Sequence, residues 1–114
     1  MMQDWNAYRN SLLERVGDYA KQNPDVIRGV MTLDNAAAKT AHLEPKIHEL
    51  IALAVAITTR CDGCISVHTK KAVEHGASYE EITEALGVAI ALNAGAALTY
   101  SARVVEAFQQ LPSK

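Results

Sequence analysis

The sequence predicts an all-α protein, a compact bundle of about six helices in one domain spanning residues 1–114. Three observations carry that reading. Hydrophobic residues make up 49% of the chain but aromatic residues only 5%. The core must therefore be built from Ala, Leu, Val and Ile, which let helices approach closely. Apolar residues recur at helical spacing, and Pro24 and Pro45 stand where first-turn helix prolines belong. Strand signals are weak: the Asp62-Gly63 pair lacks the alternating flanks of a hairpin.

The first helix covers about residues 4–22, with Trp5, Tyr8, Leu12, Val16 and Tyr19 on one stripe. The second starts near Pro24 and carries Val26, Val30, Leu33 and Ala37. The third runs from Pro45 to about Thr59. It is apolar on every side over residues 50–57, which predicts burial on every side. The fourth starts near Cys61 and ends at His75, with Gly76 as its stop. The fifth opens on Ser78-Tyr79-Glu80-Glu81, a capping box. A sixth is expected from about Gly95 to Gln110, and Pro112 lies in the tail. So short a chain has difficulty covering the third helix and the bland segment at Gly95-Ala96-Ala97-Leu98 alone. The expectation is that subunits bury these surfaces against each other. Trp5 and Tyr100 are expected in the core.

The formal net charge is −2, and Lys70-Lys71 is the only adjacent basic pair. That excludes the clustered cationic surface that nucleic-acid binding requires. The start of the chain has neither a basic segment nor an apolar stretch of the signal-peptide kind. The apolar run 50–57 is far short of the roughly 20 residues a membrane span needs. The expectation is a soluble cytoplasmic protein. In such a chain two cysteines three positions apart point to catalysis or metal binding rather than a structural staple. A bridge between them closes almost no loop and stabilises little.

The chemistry concentrates between Glu49 and His68. Cys61, Cys64 and His68 are at i, i+3 and i+7, so on a helix they share one stripe. Helical side chains lean toward the N-terminus, which brings His68 back over Cys64 as a candidate proton acceptor. The cysteines open their helix, where unpaired N–H groups and the helix dipole favour a thiolate. Cβ atoms three apart on a regular helix are about 5–6 Å apart, and a disulfide requires roughly 3.5–4.5 Å. Cys61 must then sit at the cap, just outside regular helix, for the pair to close. Gly63 between them permits close approach. Glu49 lies on the preceding apolar helix, where a carboxylate must be paired or protonated and is suited to proton transfer. His42 and His48 have no partner legible in the sequence, and His75 is expected to complement the C-terminus of its helix beside Gly76.

With these residues in view, the sequence resembles the alkylhydroperoxidase D-like, or carboxymuconolactone decarboxylase, family. The resemblance lies in Glu49-Leu50-Ile51-Ala52-Leu53-Ala54, in Cys61-Asp62-Gly63-Cys64-Ile65-Ser66-Val67-His68, and in His75-Gly76-Ala77-Ser78, and it covers about residues 26–107. It implies an all-α fold, assembly as a homo-oligomer (trimer or hexamer), and a thiol peroxidase that needs no cofactor, haem or metal. It also implies that Cys64 attacks a small hydroperoxide and Cys61 resolves it. Glu49 and His68 form the proton relay, and an external dithiol or redox protein is the reductant. The chain departs from the family's well-studied peroxidase in length and in carrying Gly63 where that enzyme has His. The decarboxylase branch generally lacks paired cysteines. Two other readings of the residues remain: a cofactor-free decarboxylase-like enzyme, and a redox-responsive or zinc-binding module using Cys61, Cys64, His68 and Glu49.

Overall fold

Helix caps set the architecture. The computed structural model describes residues 1–113, and among these there are five helices and no strand. Helix α1 (Trp5–Gln22) is capped by Asp4, whose side chain accepts the Ala7 N–H at 3.0 Å. Helix α2 (Pro24–Thr40) and helix α3 (Pro45–Thr59) each begin with a proline, whose missing N–H costs nothing in a first turn. They end in Ala41 and Arg60, both in the left-handed region with φ of 54° and 55°. Helix α4 (Asp62–Glu74) stops before Gly76, whose φ of 86° suits a residue without a side chain. Helix α5 (Tyr79–Gln109) opens with the expected capping box. Ser78 Oγ accepts the Glu81 N–H at 3.0 Å, and Glu81 Oε1 accepts the Ser78 N–H at 2.9 Å.

The all-helical class is as predicted, and the helix count differs. The expected fifth and sixth helices are one helix of 31 residues. Gly95 does not interrupt it. A helical glycine costs only about 1 kcal/mol against alanine, and Ala94, Ala96 and Ala97 around it are strong helix formers. No capping residue at Gly95 starts a new helix. By length and composition α5 is apolar enough to cross a membrane, with mean hydropathy 1.5 over an 18-residue stretch. Its N-terminal half nevertheless lies on α3, where Asn93 donates to Thr58 Oγ1 at 2.8 Å.

Helix α3 is the centre, packed by α4 on one side and α5 on another. Leu53, Ala72 and Ala77 form the buried cluster, with Leu50, Ile82 and Leu86 against it. Ala72 and Ala56 are 0% and 1% exposed, so small residues do set the close approach. Helix α1 packs on α4, and α2 packs on α1.

The expected compactness is absent from the single chain. Its radius of gyration is 19.1 Å, against about 13 Å for a compact chain of this length. Helix α3 is covered on one side only: Leu53 and Ala56 are buried, while Ile51 and Val55 are about half exposed. No residue of α1 or α2 is fully buried. At about 1.5 Å per residue, α5 outruns α3 and carries Leu98, Val104, Val105 and Phe108 into the open. Tyr100, expected in the core, is 69% exposed under the Arg103 guanidinium. Trp5 is half-buried, edge-on to Tyr8.

Candidate functional site

The turn between α3 and α4 presents the cysteines. Arg60 reverses the chain in the left-handed region, and the Cys61 N–H closes the turn on Ala56 O at 3.0 Å. Cys61 is then the N-cap of α4, with an extended backbone at φ −103°, ψ 98°. This extended cap closes the gap that regular helix would leave, and Cys61 and Cys64 are joined as a disulfide with Cα atoms 5.3 Å apart. Cys61 Sγ also takes the place of a capping oxygen, accepting the Cys64 N–H at 3.1 Å. Both cysteines are half-buried.

Helix α1 lies over this turn. A Cβ placed on Gly63 would stand 2.9 Å from Leu12 Cδ2 and 4.0 Å from Cys61 Sγ. A side chain at this position would make the end of the Leu12 side chain move aside. Arg9 fixes the same contact one turn further on, donating from Nε to Ser66 O at 2.8 Å. Ser66 is 2% exposed and turns its hydroxyl onto Gly63 O at 2.9 Å.

The second half of the site joins two helices. His68 Nδ1 and Glu49 Oε2 are 2.6 Å apart, with side chains 22% and 13% exposed. A carboxylate can only accept here, so Nδ1 carries the proton and Nε2 is the nitrogen left for other chemistry. The stripe argument placed His68 over Cys64. Among the described residues its side-chain hydrogen bond goes to Glu49, and none joins it to either sulfur. The partly buried Glu49 is paired, as its apolar flanks require.

Glu49 and His68 open onto a groove of about 880 Å³ between the end of α2, α3 and α4. His42, His48, His75 and Lys71 also line it, so it gathers all 4 histidines of the chain. Neither cysteine is among its lining residues. Sequence reasoning missed this grouping. The available signal was His68, Lys71 and His75 at i, i+3 and i+7 along α4. Among the described residues, no group of three or more His, Cys, Asp or Glu side chains is arranged to hold a metal ion.

One ion pair braces α3 against α5. Lys46 Nζ lies 2.8 Å from Glu81 Oε2, tying the start of α3 to the start of α5. The hydrogen bond and charge of Glu81 push the Lys46 ammonium above its ordinary pKa. The hydrogen bond from Lys46, then that from the Ser78 backbone, holds the Glu81 carboxyl below its own.

The crystal structure of an apo carboxymuconolactone decarboxylase family protein from Legionella pneumophila shares this arrangement of helices, with a TM-score of 0.74 at 33% identity, covering 93% of this chain and 95% of that one. An uncharacterised protein of Haemophilus influenzae is 48% identical over 108 residues, 95% of this chain and 96% of that protein. A Paracoccus denitrificans protein described as uncharacterised protein 4 in the cox locus is 29% identical, over 84% of this chain and 86% of its own. The sequence model of the carboxymuconolactone decarboxylase family matches residues 24–107, from the first residue of α2 nearly to the end of α5, and leaves α1 outside. With that span matched and the fold shared, the chain belongs to the carboxymuconolactone decarboxylase family.

Proposed function

We propose that the protein is a single-domain, cytoplasmic, thiol-dependent oxidoreductase that reduces a small hydroperoxide and is reset by an external dithiol or redox protein. The observation that carries this reading is the Cys61–Cys64 disulfide at the start of α4, one turn from the Glu49–His68 pair. In the reduced protein, Cys64 attacks the terminal peroxide oxygen. The O–O bond breaks, the sulfur becomes a sulfenic acid, and the alcohol leaves with a proton. His68 Nε2 takes the thiol proton and returns it to the leaving oxygen. Glu49, on Nδ1, orients the ring and stabilises its cationic form. Cys61 then attacks the sulfenic sulfur, forming the disulfide and releasing water. A dithiol restores both thiols and leaves as its own disulfide. The test is intact mass with thiol counting before and after peroxide. The reduced protein should lose two hydrogens and both free thiols, and Cys64→Ser should abolish dithiol-dependent peroxide consumption. Unchanged turnover in that variant rejects the assignment.

A second reading is favoured by one observation: the groove is lined by Glu49 and His68 but by neither sulfur. Cofactor-free acid–base chemistry on a lactone or carboxylate, as in a decarboxylase, would use that groove alone. It requires an activity that survives in the Cys61→Ser, Cys64→Ser double variant.

The working form in this proposal is a homo-oligomer, a trimer or hexamer. The chain exposes 9042 Å², against about 6,100 Å² for a compact monomer of its mass. The difference is more than the roughly 1,000–2,500 Å² that one obligate interface removes from each subunit, and so fits a subunit that makes more than one. Val55, Val88 and Leu92 line an apolar crease between α3 and α5 on that open side. Sedimentation velocity at micromolar concentration should show an oligomer, and Val104→Glu with Phe108→Glu should reduce it to monomer. A monomeric wild type rejects the proposal.

A further inference from the structure

The two sulfurs of the disulfide are not equivalent, and the difference bears on how the pair is reopened. Cys61 Sγ accepts the Cys64 N–H at 3.1 Å and sits at the positive end of α4. A sulfur so placed is stabilised when it becomes an anion. Thiol–disulfide exchange is faster when the departing sulfur is the better-stabilised thiolate. Leu12, on α1, is a neighbour of the same turn: a Cβ on Gly63 would stand 2.9 Å from Leu12 Cδ2 and 4.0 Å from Cys61 Sγ.

We infer that an external thiol attacks Cys64 and expels Cys61, and that Leu12 shares in this selectivity. The inference rests on reading the pair as redox-active and extends it to the reductive half. The attacking thiolate forms a bond to Cys64 Sγ while the Cys61–Cys64 bond breaks. The electron pair leaves on Cys61 Sγ, held by the Cys64 N–H, and the proton shed by the incoming thiol is available to protonate it. A second thiol attacks the sulfur of the first, releasing Cys64 as a thiolate and the reductant as its disulfide. Cys64 thus performs both external reactions, with peroxide and with reductant, and Cys61 only the internal one.

The sequence supplies a direct assay. Trypsin cleavage after Arg60 and Lys70 releases residues 61–70, which hold both cysteines. Oxidised full-length protein is treated briefly with 2-mercaptoethanol, and freed thiols are capped with N-ethylmaleimide in acid. Fragment ions that split the peptide at Asp62 or Gly63 locate the two adducts. At the earliest times the mercaptoethanol adduct should lie on Cys64 and the maleimide on Cys61, by at least about ten-fold. Equal labelling, or a majority of mercaptoethanol on Cys61, overturns the inference. Leu12→Ala should raise the Cys61 share at least two-fold, and an unchanged share removes Leu12 from the explanation. The assay uses no peroxide. An adduct on Cys64 without peroxide turnover sustains this inference and rejects the peroxidase reading, and an adduct on Cys61 with turnover does the reverse.

Discussion

Replacing Glu49 by Gln keeps the shape of the Glu49–His68 contact and removes its charge. The two atoms are 2.6 Å apart, and the side chains are 13% and 22% exposed, so the pair is partly shielded but not sealed from water. A hydrogen bond to a charged group contributes about 1.5–3 kcal/mol, and one between neutral groups about 0.5–1.5. Because the groove is open, the lower ends of those ranges apply, and the variant forfeits about 1–1.5 kcal/mol of imidazolium stabilisation. At about 1.4 kcal/mol per decade, peroxide reduction should fall roughly 5- to 12-fold. The assay is peroxide consumption with dithiothreitol as donor, from pH 5 to 9, beside a thermal melt. The melt should move little, because Gln still accepts the Nδ1 proton. The rate should fall, because an amide oxygen holds the ring during proton transfer less strongly than a carboxylate does. Identical rates in Glu49→Gln and the wild type refute the argument that this pair serves the thiol.

Two further outcomes follow from contacts between helices. Gly63→Val forces side-chain atoms into the space that Leu12 fills, since a Cβ alone would already stand 2.9 Å from it. It should destabilise the fold by about 1–3 kcal/mol as an overpacked site, read by urea unfolding, with Leu12→Ala restoring part of the loss in the double variant. Strict additivity of the two changes contradicts that contact. The Lys46–Glu81 pair predicts an acid dependence. The Glu81 carboxyl is held below its ordinary pKa, so its contribution is complete above the ordinary glutamate range, about 4.3, and is lost as pH falls through the lowered value. The gap in urea midpoint between wild type and Glu81→Gln should therefore close as pH drops below about 4, and a constant gap would show that the pair contributes nothing.

Local rules made much of the architecture legible in the sequence. Asp4, Pro24, Pro45, Gly76 and the Ser78–Glu81 box mark helix ends through groups within a few residues. The spacing of Cys61 and Cys64 required an extended cap, because regular helix holds residues three apart too far for a disulfide. The absence of a break at Gly95 was not legible. A glycine is a weak signal, and the helix there is carried by its alanine neighbours.

What the sequence by itself determined is the helical class, most helix ends and the capped cysteine pair, because these depend on short-range backbone hydrogen bonding and side-chain period. Only the tertiary structure decided the partners. His68 lies one turn from Cys64 in the chain, yet its hydrogen bond crosses to Glu49 on α3. Gly63 reads as a departure from a peroxidase pattern until Leu12, on a helix outside the matched family span, is seen to occupy its side-chain space. His42, His48 and His75 gain a common setting only when α2, α3 and α4 enclose the groove. Each of these contacts joins residues distant in sequence, and their positions are set by how helices pack, which no local spacing encodes.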